Sequence, residues 1–299
     1  MSGTIAIVGA GGIGGMLAVT LAEAGRGVTL CVRSPVGELA IESGGETRRA
    51  TVPVVTAPEA LNDPAWLLVT TKAQDTAGAA PWIERAARSG AVIVPVQNGV
   101  EHLARVRPHS GEAAVLPAII YCSVERVAPG HIRHHGGSSM TVPDGPDGEA
   151  FAALFAGTRF TVQRTDDFAT VAWRKLLSNS VNNPLTALTL RRGGGLFAEE
   201  PIRALAAAIL AEAVAVARAE GARLGPEDAQ AVLGNLGGFG PAGGSSMLYD
   251  RLAGRPLEHE HLTGAIVRAG ARHGVPVPLN RALLALLAAA SGHPLDGTA

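Results

Sequence analysis

Three glycines near the N-terminus constrain this chain more than any other feature of its sequence. The motif Gly9-Ala10-Gly11-Gly12-Ile13-Gly14 follows a strand-like run, Ile5–Val8, and opens a helical stretch at residues 16–24. In such a strand–turn–helix context the first glycine makes the tight turn and the second lets backbone N–H groups approach a pyrophosphate. The third lets the helix pack closely on the strand. A glycine turn that binds nothing is the alternative, but the context favours a bound dinucleotide.

The end of the second predicted strand, Cys31-Val32-Arg33-Ser34, indicates which dinucleotide is bound. NAD-binding domains usually place Asp or Glu there, on the adenine ribose 2′-hydroxyl. Residues 31–37 contain no carboxylate, and the first one after the strand is Glu38, whereas Arg33 could pair with a 2′-phosphate. A solvated arginine at a strand end is the alternative. The pattern favours NADPH over NADH.

The first half of the chain alternates short β-branched runs with alanine-rich stretches, a pattern typical of βαβ units and a parallel sheet. The clearest strands are at residues 5–8, 28–32, 66–70 and 92–96. From about residue 115, runs at 116–124, 131–135 and 140–142 are separated by Pro129-Gly130 and Gly136-Gly137. These glycine-containing pairs predict turns between antiparallel strands.

After Asp166-Asp167, which could cap a helix, the sequence is almost wholly helical in character, with breaks at residues 193–195 and 234–244. We therefore predict an α/β protein with two domains. Residues 1–166 form a Rossmann-type, doubly wound sheet domain that binds NADP(H). Residues 167–299 form an all-helical domain for substrate binding and dimerisation.

Composition and charge narrow the class of ligand and the compartment. A net charge of −1 provides no basic field for nucleic acid. The two cysteines, Cys31 and Cys122, suit a reducing compartment. The apolar stretch at 204–217 is interrupted by Glu212, and the one at 283–290 is too short to cross a bilayer. Since no N-terminal signal precedes the first strand, we expect a cytoplasmic protein with a small-molecule ligand, away from membranes.

A second motif lies in the predicted helical half. On a helix, Lys175, Asn179 and Asn183 fall at positions i, i+4 and i+8, so that an ammonium and two carboxamides share one face. Burying three such groups is costly unless a ligand with matching donors and acceptors meets them. A solvated helix face ending at Pro184 is the alternative, and the spacing alone does not decide between them.

This helix and the glycine motif together resemble the ketopantoate reductases (2-dehydropantoate 2-reductases), and the resemblance spans nearly the whole chain. Its further pieces are Thr70-Thr71-Lys72-Ala73, Gln97-Asn98-Gly99, Ser245-Ser246-Met247-Leu248-Tyr249-Asp250 and Gly254-Arg255-Pro256-Leu257-Glu258. The resemblance implies a Rossmann domain, a helical domain and a substrate bound in the cleft between them. It also implies NADPH-dependent reduction of 2-dehydropantoate to (R)-pantoate, on the route to pantothenate and coenzyme A.

The resemblance also implies roles for single residues. Lys175 looks like the general acid, since a hydride delivered to a 2-oxo acid creates an alkoxide that needs a proton. Glu258 is implied as a second catalytic group that orients the lysine or accepts from the substrate. Lys72 is implied near the nicotinamide ribose. The implied substrate-binding residues are Asn98, which also lies at the cofactor edge, with Asn179, Asn183 and Ser246.

Ser246 stands twelve residues before Glu258, as in the family pattern. Without this spacing, a surface carboxylate at a helix start would be preferred for Glu258, and an N-cap for Ser246. The chain departs from the family at His259-Glu260-His261 and at Thr263. These departures bear on which substrate is bound more than on the reaction type. A paralogous NAD(P)-dependent reductase of another 2-oxo acid or of an imine is therefore an alternative. A non-catalytic NADPH-binding sensor is a second one.

Several histidines could suggest a metal site, and we predict none. His134 and His135 are adjacent in a predicted strand and point to opposite faces, so they cannot simply converge with His131. His259 and His261 have no Asp or Cys at ligand spacing.

The alanine-rich helices could build a homodimer interface.

Overall fold

The computed structural model describes residues 4–236 and 243–292 of the chain. The chain divides into two compact units, Met1–Phe168 and Ala169–Ala299.

The first unit alternates strands and helices over most of its length. Its strands are β1 (Ile5–Val8), β2 (Val28–Cys31), β3 (Leu39–Ser43), β4 (Glu46–Ala50), β5 (Val54–Val55), β6 (Trp66–Val69), β7 (Val92–Pro95), β8 (Ile119–Ala128), β9 (His131–Pro143) and β10 (Thr161–Thr165). Its helices are α1 (Gly12–Glu23), α2 (Thr76–Arg88), α3 (His102–Ser110) and α4 (Pro146–Leu154).

The described part of the second unit is helical. Its helices, the first of which begins one residue earlier, are α5 (Phe168–Thr189), α6 (Gly193–Leu196), α7 (Glu200–Ala219), α8 (Pro226–Asn235), α9 (Ser246–Leu252), α10 (Thr263–His273) and α11 (Pro278–Ala290). A short 3-10 helix, His259–His261, precedes α10. None of the described helices combines the length and the apolar character that crossing a membrane requires.

A parallel sheet with the strand order β5-β2-β1-β6-β7 forms the centre of the first unit. Ile5 and Ile7 face a core that includes α1 residues, whereas Ala6 and Val8 face a second core with Trp82 and Ile83 of α2. Burial on both faces explains why the strands are continuous apolar runs. The strand order reverses direction at β1, which lies between β2 and β6, and ligands bind at such a switch point. The predicted fold class is confirmed.

A second sheet has the order β10-β9-β3-β4, with β8 pairing to β9. The predicted antiparallel pairing is confirmed for β8 and β9, which the Pro129-Gly130 turn connects. The sheet is nevertheless mixed, because β3 and β10 both pair with β9 in parallel.

The turn predicted at Gly136-Gly137 is wrong, because β9 runs through both glycines. Gly137 has a φ of +72°, and a Cβ there would lie 2.6 Å from the Tyr121 carbonyl oxygen. The β8–β9 register shifts between Tyr121 and Ser123. The glycines therefore permit a bulge and a close strand approach instead of a chain reversal.

A hairpin between β3 and β4 is missing from the sequence-based prediction. Ser43 pairs with Glu46 across a two-residue turn, in which Gly44 and Gly45 have φ values of +57° and +85°. A Gly-Gly pair between two short runs is a signal for this kind of turn and could have revealed the hairpin.

The predicted helix breaks of the second unit need one correction. Gly193 to Gly195 lie inside α6, and the break precedes them at residues 190–192, where Leu190 has a φ of 57°. The other predicted break, at 234–244, begins within the last two residues of α8, which ends at Asn235, and its residues 237–242 lie outside the described part of the chain.

Glu212, the charged residue within the apolar stretch of α7, caps the start of α11. Its carboxylate accepts hydrogen bonds from the backbone N–H groups of Leu279 (2.9 Å) and Asn280 (3.0 Å), and from Asn280 Nδ2 (2.8 Å). The first N–H groups of a helix have no intrahelical acceptor, and a negative charge there is favourable. Glu212 therefore joins α7 to α11.

Replacing this cap should destabilise the protein. In Glu212→Gln an amide N–H₂ replaces one acceptor and faces a donor, so we expect the free energy of unfolding to fall by about 1–3 kcal/mol. Chemical denaturation measures this change. Glu200→Gln, at an exposed position on the same helix, is the control and should change stability by less than about 0.5 kcal/mol. Equal stability of the two variants would contradict the capping role.

Candidate active site

The glycine motif forms a tight connection between β1 and α1. Gly9 has a φ of +99°, and its N–H donates to the Cys31 carbonyl at 3.0 Å. Gly11 is the N-cap of α1, and the helical bonding begins where Gly15 N–H donates to Gly11 O at 2.9 Å. The N–H groups before Gly15 have no carbonyl one turn earlier in the helix. They form the positive end of α1 that an anion would meet.

The space around each glycine differs in a way that fits a bound dinucleotide. A Cβ at Gly14 would collide with the Gly9 carbonyl oxygen and with Thr70 Oγ1. At Gly11, by contrast, no described atom would lie within 4 Å of an added Cβ. A Cβ at Gly12 would meet Val124 Cγ2 of β8 at 2.9 Å. Gly14 therefore allows the helix to pack, and Gly11 leaves its backbone open to a ligand.

The two non-glycine residues of the motif, Ala10 and Ile13, are partly buried against the core. They can therefore contribute backbone groups to a ligand while their side chains pack. Thr70, which the site prediction did not include, lies with its Oγ1 2.8 Å from Val8 O and 3.0 Å from Gly9 O. Its hydroxyl holds the end of β1 beside the end of β6.

The end of β2 presents Arg33 as an exposed side chain, just after the buried Val32. Glu38, the next carboxylate along the chain, is paired with Arg49 at 2.8 Å. The first acid after β2 is thus held by another arginine, and the exposed charged residue at the end of β2 is a cation.

Lys72 and Asn98 lie on two turns that follow neighbouring strands, β6 and β7. The buried Gln97 side chain connects these turns: its Nε2 lies 3.1 Å from Thr71 O and 2.9 Å from Thr76 Oγ1. Both turns are at the carboxyl edge of the sheet, as are Gly9 and Arg33. The first-unit residues of the predicted site therefore lie along one edge.

Three of the predicted site residues of the second unit, Lys175, Asn179 and Asn183, lie on α5. Leu176, Leu177 and Val181 are at most 1% exposed, and they form the buried face of this helix. Lys175 and Asn179 are half-buried, whereas Asn183 is only 5% exposed. The structure places all three polar residues on one uninterrupted helix, at the spacing that puts them on one face. Pro184 lies inside α5 and does not end it.

Ser246 is the exposed first residue of α9, and Ser245 is its N-cap. The buried Ser245 Oγ accepts from Leu248 N–H at 3.0 Å and lies 2.7 Å from Thr186 Oγ1 of α5. The capping role therefore falls to Ser245, which leaves the Ser246 hydroxyl outside the cap. Sequence reasoning missed both Ser245 and Thr186, although a Ser-Ser pair before a helical run is an N-cap signal.

Glu258 is 4% exposed and lies directly before the 3-10 helix, so it is not the surface carboxylate that its position in the sequence would favour. Its carbonyl accepts from the N–H groups of His261 and Leu262, each at 3.1 Å. A carboxyl group buried this deeply needs a compensating partner, which suits a group within a site.

The unusual His259-Glu260-His261 segment is tied to the protein scaffold. Arg268 Nη1 lies 3.2 Å from Glu260 Oε2, and Arg268 Nη2 donates to Glu260 O at 2.8 Å. His259 Nδ1 donates to Leu257 O at 3.0 Å. The departure from the family pattern thus builds contacts between the 3-10 helix and α10.

Two histidines of β9 are paired with glutamates, and the thiol of β2 is buried. His131 lies 2.8 Å from Glu42, and His135 lies 3.2 Å from Glu125. Within the described residues, no group of three or more His, Cys, Asp and Glu side chains is placed to hold a metal ion. Burial raises the pKa of the Cys31 thiol to about 12, which makes it a packed and unreactive group.

Comparisons with known proteins match this chain over nearly its whole length. The family model for ketopantoate reductase PanE/ApbA matches residues 5–147, and the model for the C-terminal part of these proteins matches residues 167–291. A 2-dehydropantoate 2-reductase from Mycobacterium tuberculosis (strain ATCC 25618 / H37Rv) is 38% identical over 296 residues, 98% of this chain and 100% of the relative.

Solved structures of similar proteins share the fold over most of their length. A PanE/ApbA family ketopantoate reductase from Ralstonia eutropha JMP134 has 33% identity and a TM-score of 0.88, over 96% of this chain and 98% of that one. A dimeric ketopantoate reductase from Staphylococcus aureus, 22% identical, shares the fold with a TM-score of 0.87, over 96% and 98% of the two chains. On these similarities and the two matching family models, the chain belongs to the ketopantoate reductase family.

Proposed function

We propose that this chain catalyses the NADPH-dependent reduction of 2-dehydropantoate to (R)-pantoate, a step towards pantothenate and coenzyme A. The observation that carries the proposal is the α5 face with Lys175, Asn179 and Asn183. In the same chain, the glycine turn of the first unit leaves the backbone at Gly11 open to a ligand. A sensor that only binds NADPH would have no need of a proton donor among amide groups on one helix.

NADP(H) fits the carboxyl edge of the first unit. The Gly9–Gly14 turn would hold the pyrophosphate through backbone N–H groups, and Arg33 would pair with the 2′-phosphate. Lys72 and Asn98, on the turns after β6 and β7, would meet the nicotinamide end. The bound cofactor supplies the hydride.

Lys175 supplies the proton. As hydride reaches C2 of the 2-oxo acid, the carbonyl oxygen gains negative charge, which the lysine ammonium stabilises and then protonates. Asn98, Asn179, Asn183 and Ser246 bind the substrate's carboxylate and hydroxyls without adding charge beside the lysine. Glu258 orients the lysine or accepts from a substrate hydroxyl.

We also propose that the protein is a homodimer formed through the second unit. Helix α11 exposes an apolar stripe at helical spacing, Ala282, Ala285, Leu286 and Ala289, and Leu286 is 56% exposed. Cys31 and Cys122 are not joined in a disulfide, which supports a cytoplasmic location, where cysteines remain reduced.

The glycine turn allows folding and cofactor binding to be separated by mutation. Gly14→Ala should lower the free energy of unfolding by about 3 kcal/mol, because the new methyl group meets a backbone carbonyl that cannot rotate away. Gly11→Ala should cost less than about 1 kcal/mol and instead weaken NADPH binding by roughly 10-fold or more. Denaturation and fluorescence titration measure the two effects. Normal NADPH affinity in Gly11→Ala would place the pyrophosphate elsewhere.

Cofactor choice is tested at Arg33. Arg33→Ala removes a charge-assisted contact with the 2′-phosphate, so the KM for NADPH should rise roughly 10-fold or more. The KM for NADH, which has no 2′-phosphate, should stay unchanged and is the internal control. An equal rise in both KM values, or equal affinity of the unmodified protein for the two cofactors, would refute the assignment.

The proposed acid is tested by Lys175→Ala, with 2-dehydropantoate and a panel of other 2-oxo acids as substrates. We expect kcat to fall by about 10²–10⁴-fold, as for other positioned acids, while the Kd for NADPH changes little. Arg174→Ala is the matched control, because this neighbouring cation is exposed and paired with Asp228 at 3.0 Å. It should keep near-normal kcat.

Near-normal kcat in Lys175→Ala would remove lysine acid catalysis from the mechanism. Faster turnover of another 2-oxo acid than of 2-dehydropantoate by the unmodified protein would assign it to a paralogous reductase.

A further inference from the structure

The turn that carries Asn98 is held by side chains of α3. Two consecutive carbonyls, those of Gln97 and Asn98, accept hydrogen bonds from this helix: His102 Nε2 donates to Gln97 O at 2.8 Å, and Arg105 Nη2 donates to Asn98 O at 3.0 Å. His102 and Arg105 are three positions apart, so they lie on one face of the helix. Helix α3 is therefore hydrogen-bonded to the turn at two adjacent carbonyls.

The same network reaches the turn that carries Lys72. Arg105 Nε lies 3.3 Å from Gln97 Oε1, and the other end of that amide, Nε2, lies 3.1 Å from Thr71 O and 3.4 Å from Lys72 O. Through Gln97, the two turns and α3 form one connected set of hydrogen bonds. Displacing Arg105 would remove its hydrogen bond to Asn98 O and its contact with the Gln97 amide, which is the link to the Lys72 turn.

Among the described residues, none pairs with residues 97–100 as a regular strand. Strand β7 ends at Pro95, the Val96 N–H still donates to Val69 O at 2.9 Å, and Gly99 then turns with a φ of +94°. Beyond Val96, side chains of α3, and not a neighbouring strand, donate the hydrogen bonds to the backbone carbonyls. His102 and Gln97 are 1% and 4% exposed, so these buried polar groups depend on protein partners for their hydrogen bonds.

We propose that Arg105 and His102 are positioning residues for the reaction, which hold the Gln97-Asn98 turn so that Asn98 is fixed relative to Lys72. The proposal rests on the proposed function, in which Asn98 meets substrate and cofactor. A displacement of about 1 Å in a substrate-positioning group can reduce turnover by up to about 10²-fold. The effect of losing Arg105 should thus appear in kcat and be exerted through Asn98.

Arg105→Ala is the main variant, and Arg107→Ala is its matched control. Arg107 lies on the same helix, is exposed and donates to Ala113 O at 3.1 Å, away from the turn. In Arg105→Ala we expect kcat to fall about 10- to 100-fold, with little change in the Kd for NADPH and a melting temperature lower by only a few degrees. Arg105→Lys, which keeps one donor group, should recover part of kcat. Arg107→Ala should behave as the unmodified protein.

Two measurements separate positioning from a merely structural role. In a double-mutant cycle with Asn98→Ala, the loss from Arg105→Ala should largely vanish, because the residue that it positions is already gone. Backbone hydrogen exchange in a peptide covering residues 96–100 should be faster in Arg105→Ala than in Arg107→Ala, and this readout does not depend on activity.

The proposal is overturned if Arg105→Ala keeps normal kcat. It is also overturned if the fold-decrease in kcat of the double variant equals the product of the decreases of Arg105→Ala and Asn98→Ala. It is also overturned if exchange at 96–100 is unchanged, or if activity falls only in proportion to the folded fraction. An unmodified protein that reduces no 2-oxo acid would refute the proposed function instead, while the exchange experiment would still decide whether Arg105 holds the turn.

Discussion

The cofactor edge of the first unit depends on how closely the start of α1 approaches the ends of β1 and β6. With no side chain at Gly14, the helix backbone packs directly on the Gly9 carbonyl, beside the Thr70 hydroxyl. That hydroxyl satisfies carbonyls that the close approach would otherwise leave without water. This contact sets the direction of α1, and with it the direction of the backbone N–H groups at its start.

The sequence predicts the glycine turn and the central sheet because both follow from local chemistry. Apolar strand runs such as Ile5–Val8 are buried on both faces, so their composition alone marks them. The glycines of the turn are needed for one positive φ angle and one close contact, which no other residue accepts as readily. The helical spacing of Lys175, Asn179 and Asn183 is local in the same sense.

The parts that the sequence does not predict depend on contacts between distant residues. Gly136-Gly137 has the composition of a turn, and its role in β9 is set by the carbonyl of Tyr121 on the neighbouring strand. Arg105 is one of two arginines in α3, and its proposed positioning role rests on a contact with a backbone carbonyl, a group that any sequence would offer. Ser245 and Ser246 are identical residues, and only the helix start distinguishes the buried cap from the exposed hydroxyl.

The buried hydrogen bond between Thr186 and Ser245, 2.7 Å long, ties the loop before α9 to the helix that carries the proposed acid. The bond joins two elements with different proposed roles. Because it uses Ser245, residue 246 can be exchanged while the cap of α9 and the attachment to α5 remain in place. Under the proposed function, such an exchange changes a group that binds substrate without moving the lysine helix.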